Sequence, residues 1–293
     1  MAEQQIDFSR LRNRDELVID ELVNKFLLAA DAPPRTPDRR EKIIEFFSCI
    51  QHFSKTGHVL CVFTTLIRLA SCIPHDHSWQ RDLATVFEQM FENVVGWKKL
   101  DEFEKQLEKR WIFNPWCSDE QILNDIKTFQ VDEWINLNAF VAGLYGELGR
   151  GFSSFASSGM SLALDTWNDK PEEVRDPKIF VACCWIIRGN TRLLQDCLNG
   201  TRSGGCGDRN FSTIGANFST PLITKMWQLW KRKLTTHAQW IHDEKIFDYC
   251  WRALDSMDEI EKKLLSGLKF VIDADENVRV VNCQEELDSA HAT

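Results

Sequence analysis

The tryptophan residues of this chain recur at helical spacing, and this places strong limits on its fold. Eleven tryptophans occur in 293 residues. The segment Pro221–Trp240 carries Trp227 and Trp230 three residues apart, and the segment Asp176–Cys197 carries Trp185 within an apolar run. Because side chains three or four residues apart share one face of a helix, these large rings either fill a helical core or line an aromatic pocket. The pattern predicts an all-α fold.

Apolar residues recur with the period of a helix along most of the chain. The predicted helices cover Asp15–Ala30, Asp38–Phe53, His58–Cys72, Trp79–Val95, Trp97–Trp111, Asp119–Leu148 with a break near Val131, Met160–Trp167, Asp176–Leu198, Pro221–Trp240 and His242–Leu268. About ten helices then form a single domain over residues 1–268, in a bundle-like or irregular array.

Three segments between and after these helices are predicted to be irregular. Gly149–Gly159 is rich in glycine and serine and is predicted to be a turn. Asn199–Thr220 is a long polar stretch, which is either a lid or disordered. Residues 269–293 are acidic and are predicted to be a flexible tail, although Lys269–Val281 alternates weakly enough for a short strand to be the alternative.

The charge balance and the cysteines narrow the class of function. The formal net charge is −9, which argues against a dedicated nucleic-acid binder because such proteins need a basic face. No apolar run approaches the roughly 20 residues of a membrane span, and residues 1–14 lack the apolar core of a signal peptide. The ten cysteines are scattered, and most lie on apolar helix faces, as reduced thiols do. We therefore expect a cytoplasmic protein that inserts into no membrane.

Three segments together resemble a known family. They are Asp132–Leu148 (DEWINLNAFVAGLYGEL), Val181–Asn190 (VACCWIIRGN) and Met226–Leu234 (MWQLWKRKL). Their order and spacing, over residues 111–257, are similar to those of an uncharacterised fungal all-helical family known only as a domain of unknown function. The resemblance implies a helical fold and a fungal source, and it implies no activity. Gly143 stands where that family is expected to carry arginine.

Aromatic, amide and cationic side chains in these segments are candidates for binding a ligand. The candidate ligand-binding residues are Trp134, Asn138, Trp185, Arg188, Trp227 and Trp230. Aromatic rings beside Arg188 and the basic cluster 231–233 are suited to an apolar molecule that ends in an anionic group. Core packing is the alternative for each tryptophan. Asn138 interrupts an apolar helix face, so it either ties two helices together or points into the pocket.

The sequence contains only weak motifs for metals, and none for cofactors. Asn124, Thr128 and Asp132 fall at i, i+4 and i+8 and present oxygen ligands on one helix face, similar to the second metal motif of class I terpene cyclases. The aspartate-rich first motif of those enzymes is absent upstream. The ligand types of zinc occur in His75–His77, where a short turn is expected. We assign no metal ligand, no cofactor and no catalytic residue, since phosphate-binding loops, dinucleotide fingerprints and nucleophile elbows are missing.

Three functions are consistent with these patterns. The first is an intracellular fungal protein whose aromatic pocket binds an apolar small molecule and, if it is an enzyme, acts as a cofactor-free cyclase or isomerase of secondary metabolism. The second is a non-catalytic helical module that binds a partner protein. The third is a Mg²⁺-dependent enzyme similar to terpene cyclases. The sequence does not decide whether the protein is an enzyme, which ligand it binds or whether it forms oligomers.

Overall fold

The computed structural model describes residues 17–30, 36–116, 129–148, 151–164, 172–199, 220–264, 268–272 and 278–282. Ten α-helices lie within these ranges: α1 (Leu17–Ala30), α2 (Pro37–Lys55), α3 (Val59–Cys72), α4 (Trp79–Met90), α5 (Leu100–Trp111), α6 (Val131–Leu148), α7 (Ser153–Leu164), α8 (Glu172–Asn199), α9 (Thr220–Ala238) and α10 (Glu244–Leu264). The all-α fold class is confirmed. Among the helices that the structure describes, none combines the length and the apolar character needed to cross a bilayer.

The chain divides into two compact units, Met1–Leu144 and Tyr145–Thr293, and the boundary falls inside α6. Aromatic rings fill the core of the first unit. The ring centroid of Phe87 lies 4.6 Å from that of Phe91 and 4.8 Å from that of Phe103, and all three side chains are fully buried. Edge-to-face and tilted arrangements of this kind add to the free energy gained from burial alone.

Capping and a glycine define two helix ends in the first unit. The Thr36 hydroxyl accepts a hydrogen bond from the Arg39 amide at 3.2 Å, and Pro37 occupies the first turn of α2, where its missing N–H costs nothing. Helix α4 continues as a π-turn over Phe91–Val95 and stops at Gly96, whose φ of 82° favours glycine. The sequence-predicted helix Trp79–Val95 is therefore confirmed, with a π-helical end.

Helix α8 is the central element of the second unit, where it packs against α7, α9 and α10. Every residue from 178 to 186 is buried, as expected of a helix covered on several sides. The helix is interrupted at Asn190, whose φ of 48° and ψ of −142° are not helical. This kink divides α8 into two parts, and burial resumes after it at Leu193 and Leu194.

Helix α7 differs from the sequence-based prediction, and the end of the chain contains short strands. The turn predicted over Gly149–Gly159 is wrong for its second half, because α7 begins at Ser153 and buries Phe155 and Met160 on one face. The glycine and serine content of this segment concealed that spacing. For Lys269–Val281, where a short strand was the alternative to a flexible tail, the structure describes two antiparallel strands, β1 (Leu268–Ile272) and β2 (Val278–Asn282), paired with Phe270 opposite Val280. Their valine and isoleucine content favours extended backbone.

Two further predictions lie outside the described residues. They are the helical segment 119–128 and the loop 200–219, which was predicted to be a lid or disordered.

Candidate functional site

Two of the six candidate ligand-binding residues, Trp134 and Asn138, lie on α6 in the first unit. The Trp134 side chain is fully buried, and its ring centroid lies 4.6 Å from that of Trp111 and 5.8 Å from that of Phe129. The Asn138 side chain is also fully buried, and its Nδ2 donates to the carbonyl oxygen of Trp134 at 2.9 Å. The Asn138 amide therefore donates to a backbone carbonyl one turn earlier in its own helix.

The other four candidates lie on α8 and α9 in the second unit. Trp185 is fully buried and packs edge-on against Tyr145, with 5.9 Å between ring centroids. Trp227 is fully buried and donates from Nε1 to Glu261 Oε1 at 2.8 Å, and Trp230 is buried on the same helix. Arg188 is partly exposed. The tryptophan rings therefore contribute to the hydrophobic cores, and a role in ligand binding stays a prediction for all six residues.

The basic residues next to Trp230 are engaged by the protein itself. Lys231 Nζ donates to Asp258 Oδ1 and, at 2.7 Å, to Glu261 Oε2, both on α10. Burial lowers the pKa of Lys231, but the two carboxylates outweigh it and raise this pKa above its ordinary value. Lys233 donates to the carbonyl oxygen of Leu164 at the end of α7. An anionic ligand would have to compete with these partners.

Four polar residues form what we call the Tyr145 cluster: Tyr145, Ser153, Arg192 and Asp196. The Tyr145 and Ser153 hydroxyls donate to the same oxygen, Asp196 Oδ2, at 2.8 and 2.7 Å. Arg192 Nη1 donates to the Tyr145 carbonyl at 2.7 Å, and its guanidinium carbon lies 4.3 Å from the Tyr145 ring centroid. Burial, followed by the Asp196 carboxylate, raises the pKa of Tyr145 well above its ordinary value. The phenol therefore stays protonated and remains a donor.

The Tyr145 cluster lies where the backbone adopts unusual conformations. Gly151 and Phe152, just before α7, have φ values of 68° and 62°, and Asn190 in α8 has a φ of 48°. Arg192 Nη2 donates to the Gly151 carbonyl at 3.0 Å, so the guanidinium holds the strained turn against α8. Strain of this kind persists only where surrounding contacts enforce it. The cluster acts as a structural clasp between α6, α7 and α8, and the sequence offered no local signal for it.

The outer face of α10 has a different character, and we call it the α10 aromatic face. It consists of Phe247 and Trp251, which are 39% and 45% exposed, with 6.1 Å between their ring centroids in an edge-to-face arrangement. The opposite face of α10 is anchored to α8: Cys250 is fully buried with its Sγ 3.6 Å from that of Cys183, and Tyr249 packs on Phe180 at 4.4 Å.

The start of α10 is also well defined. Asp243 Oδ1 accepts from the Ile246 amide at 3.0 Å, which caps the helix, and the Asp243 carbonyl accepts from the Phe247 amide at 2.9 Å. Sequence reasoning missed the aromatic face because helical spacing alone does not show which face of α10 meets α8. The available signal was the presence of large apolar residues on both faces of one helix.

The structure describes the candidate metal motifs only in part. Within the residues that it describes, no group of three or more His, Cys, Asp or Glu side chains is arranged to hold a metal ion. Asn124 and Thr128 lie outside the described residues, and Asp132 is exposed in the first turn of α6.

His237, near the end of α9, has a perturbed pKa. Burial, with the nearby Arg175 and Lys233, lowers the pKa of His237 to about 4.

Comparisons with known proteins identify the family and nothing beyond it. No curated protein and no solved structure significantly matches the chain. The profile of one family, described as "Protein of unknown function (DUF3632)", matches residues 28–234. The match includes α2 to α8 and the Tyr145 cluster, whereas α10 follows the matched range. Because this match covers more than half of the chain, the protein belongs to the DUF3632 family of proteins of unknown function.

Proposed function

We propose that this protein is a non-catalytic helical module that binds a partner protein through the α10 aromatic face. The observation that carries the proposal is the exposure of Trp251 and Phe247 side by side on a helix whose other face is buried. Tryptophan and phenylalanine are enriched in the centres of protein interfaces.

The exposed rings offer enough apolar area to anchor a partner. A large aromatic side chain presents about 200–250 Å² in all, so the exposed parts of these two sum to roughly 150–200 Å². At about 25 cal/mol per Å², covering them is worth up to ~4–5 kcal/mol before the costs of association are subtracted. Trp251 is the larger and the more exposed of the two, and it has the properties of an interface hot spot.

The geometry of α10 also lowers the cost of binding. Phe247 and Trp251 lie one turn apart on a helix that is capped at Asp243 and fixed to α8 through Cys250. Rings held in place by a packed helix lose little conformational freedom when a partner covers them. The face is therefore preorganised for recognition.

Site-specific photo-crosslinking in the native host tests the proposal. A benzophenone amino acid at position 251 should crosslink to one discrete partner, whereas the same group at Ile112, an exposed apolar residue of the first unit, should not. The purified partner should then bind wild-type protein at least tenfold more tightly than the Trp251→Ala variant. Identical adducts from both positions, or equal affinities for both proteins, would contradict the proposal.

A second candidate function is the binding of an apolar small molecule, as a cofactor-free cyclase or isomerase if chemistry occurs. It is favoured by the Nε1 atoms of Trp134 and Trp230, which are buried and have no hydrogen-bond partner among the described residues. A buried donor of this kind requires an explanation, and a ligand acceptor is one. The carboxylates that hold Lys231 weigh against an anionic end group in this ligand.

Native mass spectrometry of protein isolated from its host tests this second function. A bound ligand should appear as extra mass that is released on denaturation. The fraction of protein that carries the ligand should be lower in the Trp134→Phe variant, which keeps an aromatic ring and loses the Nε1 donor. Equal ligand occupancy in wild-type and variant proteins would remove the role of Trp134, and a ligand-free native mass would remove the support for this function.

The cellular setting forms part of the same proposal. We place the protein in the reducing cytoplasm of a fungal cell. The family resemblance supports the source, and the thiols of Cys183 and Cys250, which lie 3.6 Å apart without a disulfide, support a reducing compartment.

A further inference from the structure

We infer that the α10 aromatic face receives a cationic amphipathic segment of the partner protein, with an apolar stripe flanked by Lys or Arg. This inference rests on the proposed function and adds the chemistry of the partner. It comes from the charges that border the two rings rather than from the rings themselves.

Carboxylates border the aromatic pair on α10. Asp248 lies three residues before Trp251, Asp255 lies four residues after it, and Glu244 lies three residues before Phe247. Residues at these spacings are neighbours on a helix surface. All three acidic residues are exposed, so their charges face the same solvent as the rings. A partner that covers the rings must bring its own side chains close to these carboxylates.

Nearby cations only partly neutralise this rim, because Lys245 and Arg252 stand against the three carboxylates and leave a net charge of −1. The Arg252 guanidinium lies over the ring of Tyr249, with 4.9 Å between its carbon and the ring centroid. Lys231 approaches α10 from α9, but it is held by Asp258 and Glu261. The rim therefore keeps a small net negative charge, which favours a partner with positive charges beside its apolar residues and disfavours an acidic one.

The same charges argue against other occupants of the face. Anionic lipid surfaces and nucleic acids are repelled by an acidic rim. A second copy of this chain would bring the same carboxylates against one another across a two-fold axis, on a protein with a net charge of −9.

Two synthetic amphipathic helices with the same leucine and tryptophan stripe test the inference, one carrying lysine on its polar face and the other glutamate. Full-length wild-type protein should bind the lysine helix at least tenfold more tightly than the glutamate helix. The Asp248→Asn/Asp255→Asn variant should lose about tenfold in affinity for the lysine helix. A matched control, Glu88→Gln/Glu92→Gln, removes the same net charge from exposed positions of the first unit and should change affinity less than twofold.

The Trp251→Ala variant separates this inference from the function on which it rests. If both helices bind equally well and both need Trp251, the charge inference is overturned and the proposed function stands. If the lysine helix binds equally well to the Trp251→Ala variant, or fails to bind wild-type protein, both are overturned. A dimer that dissociates on Trp251→Ala substitution, or Trp251-dependent binding to phosphatidylserine vesicles, assigns the face to another occupant and also overturns the inference.

Discussion

Gly159 on α7 lies directly against the indole ring of Trp185, and replacing it by alanine measures how tightly the second unit is packed. A Cβ atom at Gly159 would lie 2.4 Å from Trp185 Nε1 and 3.0 Å from its Cδ1, well inside ordinary contact at 3.4–4 Å. The ring is fully buried against Tyr145, so it has no open space into which to move.

The expected magnitude follows from two opposing effects. Overpacking of a close-packed core costs about 1–3 kcal/mol, and alanine regains up to ~1 kcal/mol because it forms helix better than glycine. Gly159→Ala should therefore lower the free energy of unfolding by about 1–2 kcal/mol. Ser158→Ala, on the neighbouring and partly exposed position, should change it by less than ~0.5 kcal/mol.

Urea unfolding of the single variants Gly159→Ala and Trp185→Phe and of the double variant Gly159→Ala/Trp185→Phe tests the assignment of the contact. Phenylalanine lacks the Nε1 atom that the new methyl group would meet, so the cost of Gly159→Ala should largely disappear in that background. The coupling free energy between the positions should then reach about 1 kcal/mol or more. An equal loss from Gly159→Ala in both backgrounds would refute the reasoning, because the clash would not involve this ring.

Three other changes have defined outcomes. Tyr145→Phe removes a donor to Asp196 and should lower the free energy of unfolding by about 1–2 kcal/mol in urea titrations, while an unchanged midpoint would show that the clasp is not needed. Because the pKa of His237 is lowered to about 4, the unfolded chain takes up this proton at higher pH than the folded protein, so stability should fall as the pH drops from 6.5 toward 4. His237 is half-buried, which limits this loss to about 1 kcal/mol, and His237→Gln should flatten that slope relative to wild type in thermal unfolding. Trp251→Ala should change the unfolding midpoint little, and a loss above ~2 kcal/mol would show that the ring belongs to the core.

Helical periodicity predicted most of the architecture because it depends on local spacing. Helix α3 was expected over His58–Cys72 and spans Val59–Cys72, and α6 begins at Val131, where a break had been expected. The start of α7 was missed because its buried positions are separated by serine and glycine. These residues favour turns on their own, but here the packing of Phe155 and Met160 into the core determines the helix.

The polar contacts of the second unit were not predictable in the same way. Tyr145 and Asp196 are 51 residues apart in the chain, and they meet only because α6 and α8 approach closely. That approach is so tight that a Cβ atom at Gly146 would lie 2.1 Å from the Arg188 carbonyl oxygen. Neither residue carries a local signal of its partner, since hydrogen bonding between distant helices depends on tertiary packing.

Folding buries some tryptophans of this chain completely and leaves others partly exposed, and this difference is the reason for the function that we propose. The burial of Trp185 and Trp227 is completed on folding, so their contribution is already part of the stability of the second unit. Trp251 is 45% exposed in the folded chain, so the free energy of covering that part of the ring is still available to a binding partner. Helical spacing is the same for both kinds of residue, which is why the sequence left core and binding site as alternatives. The packing of α10 against α8 leaves Trp251 on the outer face of the helix, which is why we propose it as the ring that a partner covers.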